Sequence, residues 1–145
     1  MLRKIRFHNA PKKDFPDKKR LKECLILTLQ HYGFGLSSLQ YSFTSDEELR
    51  QMNVEFLAHD YFTDILTFDL SDQPGDVDGD VYVSRDRVRE NARLESVRTE
   101  EEFCRVIGHG LLHLCGFKDK SKAEKEAMRS AENNFISLYL SKSQG

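Results

Sequence analysis

A chain of 145 residues is the length of one ordinary domain, long enough to bury a core without disulfide or metal staples. Its 39% hydrophobic and 32% charged residues fit a folded globular protein and exclude a disordered one, and no stretch nears the ~18 uncharged residues of a membrane span. A formal charge of −2 and a pI near 6.2 lack the overall basicity of a dedicated nucleic-acid binder.

Three cysteines, Cys24, Cys104 and Cys115, form no CxxC pair and are odd in number. They suggest neither a disulfide framework nor a zinc ribbon, and the cytoplasm is the expected compartment. The opening MLRKIRFHN is basic but runs into PKKDFPDKK, where a secretory leader would have an apolar run and a small-residue cleavage site, so export is not expected. Charge is uneven along the chain. Lys12, Lys13, Lys18, Lys19, Arg20 and Lys22 cluster near the start, and Arg85, Arg87, Arg89, Arg93 and Arg98 recur later. Asp72, Asp76, Asp78 and Asp80 crowd an expected loop between them. Each basic run reads as a solvated helix face or as a local phosphate contact. The arginine run is the better placed for phosphate, because it immediately precedes the segment with the paired histidines.

Taken in chain order, Arg3 to Phe7 alternates as a short strand, and Pro11 to Pro16 is loop. Leu21, Cys24, Leu25, Thr28, Leu29 and Tyr32 fall on one 3.6-period stripe, and Gly33 and Gly35 stop that helix. Ser38 to Thr44 alternates as a second strand. Ser45 and Glu48 have capping-box spacing and open a helix carrying Leu49, Met52, Asn53 and Phe56. Thr63 to Asp69, rich in β-branched and aromatic residues, predicts a third strand, and Gly79 to Ser84 a fourth. The LSDQPGDVD between them predicts antiparallel pairing. Three helices follow: one from Arg85 to Arg98, one opened by a capping box at Thr99 and Glu102, and one opened by Ser121 and Glu124. The last carries Ala127, Met128, Ala131, Phe135 and Leu138. The order β-α-β-α-β-β-α-α-α, without repeat or linker, predicts a single layered α+β domain over residues 1–145, with a four-stranded mixed sheet packed against helices.

The segment HGLLHLCGFKD, residues 109–119, carries the chemistry. Phe103, Val106, Ile107, Gly110, Leu111 and Leu114 form the core stripe of its helix, and His109 and His113 lie beside that stripe. At i and i+4 their rings project one turn apart from one face, where they are either satisfied polar groups or two ligands for one metal ion. Gly116 sits where a glycine can reverse the chain out of the helix and bring Asp119 back toward the pair. Two histidines and a carboxylate leave a position open for water, as catalytic zinc sites do, and imply hydrolysis. The metalloprotease pattern HExxH is disfavoured, because Gly110 stands where its glutamate base would be. Cys115 points away from the histidines and is expected to pack in the core, and His8 and His31 have no partner at metal spacing.

HGLLHLCGFKD resembles the HGxLHLxGYDH signature of the YbeY family, the bacterial rRNA-maturation endoribonucleases. MNVEFLAHDYFTDILTF, residues 52–68, is similar to that family's LNxxYRxxDxPTDVLSF stretch, and GDVYVS, residues 79–84, to its GDIxIS strand. The resemblance spans essentially the whole chain. It implies a zinc-dependent, single-strand-specific endoribonuclease that matures the 3′ end of small-subunit rRNA and serves ribosome quality control. His109, His113 and Asp119 would hold one ion, either zinc or another divalent transition metal. A metal-bound water would be the nucleophile, and no protein general base is assigned. The partners implied are rRNA and the small ribosomal subunit, with other assembly proteins allowed; neither DNA nor a membrane is expected.

The chain departs from the pattern at two informative positions. Asp119 occupies the place of the third signature histidine, a harder and anionic ligand that relaxes the preference for zinc. Leu57 occupies the place of a pocket arginine, so charge for the substrate would come from His59, Lys118 or Lys120, with Thr63 and Asp64 as further pocket residues. The alternatives are a non-catalytic ribosome-assembly factor with a structural metal, and a metal hydrolase of another substrate.

Overall fold

The computed structural model describes residues 1–143. Its elements are β1 (Ile5–His8), α1 (Lys18–Tyr32), β2 (Gly35–Thr44), α2 (Asp46–Leu57), β3 (Ile65–Asp69), β4 (Asp76–Ser84), α3 (Arg85–Glu95), α4 (Thr99–Leu114) and α5 (Lys122–Ser143). The four strands form one mixed sheet in the order β1-β2-β4-β3. β1 and β4 both run parallel to β2, and β3 pairs antiparallel with β4, Ile65 facing Val83 and Asp69 facing Gly79. The α+β class and the element order are those read from the sequence.

Alternation sets which side of the sheet is dry. Ile5, Leu39, Tyr41, Phe43, Val77, Val81 and Val83 are buried in one core with Leu21, Leu25 and Leu29 of α1, Phe103, Ile107 and Leu111 of α4, and Phe135 and Tyr139 of α5. Tyr41 is fully buried yet satisfied, its hydroxyl donating to the Ile107 carbonyl at 2.7 Å. The same alternation explains a correction. Asp76, Asp78 and Asp80 do not sit in a loop; they interleave with Val77, Gly79 and Val81 as half-exposed residues of β4, which begins three residues earlier than expected.

Other boundaries move for local reasons. A short 3-10 turn, Leu2–Lys4, takes the residues expected to open β1. Thr63 and Asp64 lie just before β3, and α3 ends at Glu95, where Ser96 turns left-handed at φ 56. The capping boxes at Ser45 and Ser121 form reciprocally. The one expected at Thr99 does not: Arg98 is the N-cap without a side-chain bond, and Glu102 is buried instead of capping. Phe56 and Ala127, placed on apolar stripes by their spacing, are exposed, Phe56 leaning edge-on against Phe68.

α4 is the axis of the helical layer, packing against α5, α3, β3 and β4. Two glycines permit its close approach. A Cβ on Gly108 would lie 2.8 Å from the Phe135 ring of α5, and one on Gly110 would lie 2.9 Å from Val81 of β4 and 3.2 Å from Ile65 of β3. Overpacking at such a contact costs about 1–3 kcal/mol. Gly110→Val should therefore lower unfolding free energy by about 2 kcal/mol, even after its small gain in helix propensity, as a urea denaturation midpoint would report.

Candidate metal centre

The last three turns of α4 carry Arg105, His109 and His113 at spacings of four, so the three side chains share one helix face. The helix ends at Cys115, and Gly116 reverses the chain at φ 97, which a side chain would resist. The returning strand of backbone closes on the helix through the Phe117 amide, which donates to the Leu112 carbonyl at 3.0 Å. Two oxygen atoms reach the histidines from that turn. The Phe117 carbonyl lies 3.0 Å from His113 Nδ1, and Asp119 Oδ2 lies 3.3 Å from His113 Nε2 and 3.5 Å from His109 Nε2.

On the other side, His109 Nδ1 lies 2.6 Å from Glu132 Oε2 of α5. Glu132 is buried, its side chain only 7% exposed, and its second oxygen accepts from Arg105 Nη1 at 3.0 Å. Arg105 also reaches Asn133 Oδ1 at 2.9 Å. Burial works against a charge on His109, but the bond to Glu132 and the charges of Glu132, Asp64 and Asp119 outweigh it and raise its pKa. Burial likewise opposes charge on Glu132, yet its bonds to His109 and Arg105 hold it below the usual carboxylate range. Both histidines thus have Nδ1 occupied by an acceptor, which places the proton there and leaves each Nε2 lone pair directed at Asp119.

The donor spacing fits a cation. Metal–ligand bonds of 2.0–2.2 Å at tetrahedral angles put neighbouring ligand atoms roughly 3.3–3.6 Å apart, the range in which the two histidine–aspartate distances fall. Direct charge-assisted hydrogen bonds would be nearer 2.7–2.9 Å. His109, His113 and Asp119 form a group that could hold a metal ion, with one ligand atom from each and all three within 4.8 Å of one another.

The group opens into a cleft of about 870 Å³ lined by α4, β3, the segment between α2 and β3, and α5. Of the residues singled out in the sequence, His59, Thr63, Asp64 and Lys120 line this cleft. Leu57 does too, as the aligned motif implied. Lys118 does not: it is exposed beside Glu124 at the start of α5. Thr63 Oγ1 is 3.3 Å from the Ile65 carbonyl, and burial pushes Asp64 up despite the pull of His109. Cys115 packs against the core as expected. Among the lining residues that sequence reasoning missed, three bear on the site. Arg105 could have been found from its four-residue step before His109. Glu132, flanking the Met128–Ala131–Phe135 stripe, and Tyr61, stacked on His59 with ring centroids 5.3 Å apart, gave no local signal.

The fold and cleft together define an α+β protein with an open two-histidine, one-carboxylate group that could hold one metal ion. The family model described as Endoribonuclease YbeY matches residues 6–139, and the chain belongs to that family. Among its relatives, the Endoribonuclease YbeY of Cytophaga hutchinsonii is 50% identical over 105 residues, covering 72% of this chain and 73% of that protein. The Endoribonuclease YbeY of Porphyromonas gingivalis is 52% identical over 105 residues, covering 72% and 69%. The solution structure of TM1509 from Thermotoga maritima superposes with a TM-score of 0.67 at 27% identity, over 97% of this chain and 91% of that one.

Also lining the cleft, Glu102 is 4% exposed with Oε1 unpartnered, and burial, with Glu95 nearby, pushes it up to about 7. A carboxyl raised in the folded state binds its proton more tightly there than in the unfolded chain. Its contribution to stability is therefore complete below the unfolded value of 4.5 and is lost as pH rises through about 7. Glu102→Gln should flatten that dependence. Between pH 5 and pH 8 the variant should gain up to roughly 3 kcal/mol relative to the parent in paired urea titrations.

Proposed function

We propose that this protein is a metal-dependent endoribonuclease that cuts single-stranded RNA in rRNA maturation, with zinc held by His109, His113 and Asp119. The observation that carries the reading is the convergence of two Nε2 atoms and Oδ2 at metal-ligand spacing, in an open cleft of a chain of this family. When bound, the ion supplies Lewis acidity, polarising a phosphoryl oxygen and activating water at neutral pH. With Asp119 in place of a neutral imidazole the site is one charge less positive, so zinc is favoured over other divalent transition metals less strongly than by three histidines. The small-subunit rRNA substrate and the cytoplasmic setting follow the family resemblance and the three free cysteines.

The chain's own residues divide the remaining work. Glu132 and the Phe117 carbonyl hold the imidazoles in one tautomer and orientation. Arg105, Lys120 and Arg129 are the cations of the cleft. Arg105 takes the role that an arginine at position 57 would have: its guanidinium, 13% exposed and fixed by Glu132 and Asn133, keeps further N–H groups for a phosphate and loses little freedom on binding. His59 and Tyr61, exposed and stacked at the mouth, offer ring faces to unpaired bases, a contact that single strands permit and duplexes do not.

Purified protein should carry one ion and cleave single-stranded precursor rRNA. His113→Ala should lose the ion and at least 100-fold in cleavage. Glu132→Gln should weaken metal binding about 10–100-fold in equilibrium dialysis. Cleavage that persists without metal would sink the reading, and a bound ion without cleavage would favour an assembly factor with a structural metal. Arg105→Ala should keep the ion but lower kcat/KM on RNA on the order of tenfold, the loss of one charge-assisted bond, whereas Lys118→Ala should leave it unchanged.

A further inference from the structure

We propose that the basic face built by residues 1–22 is a docking surface for RNA backbone phosphates, separate from the cleft; the RNA identity of the ligand rests on the function proposed above. Those 22 residues hold nine Lys or Arg against two Asp, a net charge of +7. The other 123 residues hold 13 Lys or Arg against 22 Asp or Glu, a net charge of −9. The near-neutral total therefore conceals a strongly divided molecule.

The division is spatial. The basic residues occupy the 3-10 turn, the outermost strand β1, the loop after it and the first turns of α1. β1 is one edge of the sheet and β3, which lines the cleft, is the other, three strand spacings or about 14 Å away. The cleft itself has six carboxylates against Arg105, Lys120 and Arg129. Even a dication leaves it without net attraction for a polyanion, so the long-range pull on RNA has to come from elsewhere.

Availability separates the two basic runs. On α3 and at its end Arg87, Arg93 and Arg98 are neutralised by Asp46, Glu90 and Glu100, while Arg85 donates to the Phe43 carbonyl and Arg89 is exposed. Three of the five arginines of that run are thus paired, which weakens the phosphate contact allowed for it. Arg3, Lys12, Lys13, Lys18 and Lys19 are exposed, and none forms an ion pair among the described residues. Arg20 and Lys22 lie over the Tyr139 and Phe7 rings, which leaves their charge unneutralised. Phosphates favour such a face over a lipid surface here, because the exposed Met1 and Leu2 adjoin a turn of only three residues, Leu2–Lys4, too short for an interfacial amphipathic helix.

The test compares the metal-loaded full chain, a Lys12→Gln, Lys13→Gln, Lys18→Gln, Lys19→Gln variant, and an Arg89→Gln, Arg93→Gln, Arg98→Gln, Lys125→Gln control that removes equal charge elsewhere. Each is assayed on a structured precursor rRNA and on a short strand of only two nucleotides, which at ~3.4 Å per stacked nucleotide cannot reach from the cleft to an edge about 14 Å away. For the lysine variant, KM on the long RNA should rise at least tenfold, with kcat and short-strand cleavage unchanged, which also reports an intact fold. Its binding to the long RNA should depend less steeply on salt, by about 0.9 in log–log slope for each lysine that faces a duplex phosphate. The control should shift KM less than twofold. Equal shifts in both variants, no shift in either, or lost binding to phosphatidylserine vesicles with RNA affinity intact would each overturn the proposal. If the parent cleaves neither RNA, the nuclease reading fails, and the difference in salt slope still decides the docking surface.

Discussion

The buried carboxylate of Glu132 is the contact on which the rest of the site depends. One oxygen receives His109 Nδ1 at 2.6 Å and the other receives Arg105 at 3.0 Å, so a charge that would be costly alone is paired on both sides. The bonds cross from α5 to α4, and Arg105 and His109 are one turn apart. The same carboxylate therefore fixes the helix–helix register, the tautomer of a candidate ligand and the pose of a cleft cation. Removing it would leave a buried guanidinium and a free imidazole, which ties the energetics of the core to the chemistry of the cleft. Gly108 lets this happen, since the Phe135 ring of α5 occupies the space a side chain would need.

The second constraint is the turn at Gly116. Its left-handed backbone returns the chain within four residues, and the Phe117 carbonyl and Asp119 both reach His113 from that return. The helix supplies two imidazoles without choosing their orientation. The turn orients one and Glu132 the other, so the third donor arrives already facing both Nε2 atoms. Asp119 is shorter than a histidine, and its 41% exposed side chain sits at the cleft opening, where water lessens the cost of its charge.

What could be read from the sequence was what short-range geometry determines. Histidines four apart must share a helix face, a glycine past the last turn must allow reversal, and alternating residues must form the strands. The same logic failed where a distant group competed for a residue. Glu102 had capping spacing with Thr99 but is buried in the cleft wall near Glu95 and Arg105. Asp76, Asp78 and Asp80 looked like loop until pairing with β2 made them the wet side of a strand. Arg105 and Glu132 are 27 residues apart, and nothing in either segment says that they meet, because the α4–α5 crossing is set by packing of Gly108 on Phe135. Tyr61 became visible only when it stacked on His59. The arginines near α3 show the opposite case: their spacing allowed a phosphate contact, while Asp46, Glu90 and Glu100 pair three of the five.

Charge distribution resolves a tension between fold and substrate. The candidate metal group includes an anionic donor, Asp119, and this cleft has gathered more carboxylates than cations. A polyanionic substrate is repelled by the same arrangement. Adding arginines to the cleft would relieve the repulsion only by competing for Glu132 and Asp119, weakening the hold on the ion. Separating the two tasks across the sheet avoids that competition. Carboxylates stay with the candidate metal group near β3, and lysines without an ion pair among the described residues collect near β1, at least a Debye length of about 8–10 Å away. At that distance solvent screens the lysines from the carboxylates, yet a long RNA can touch both.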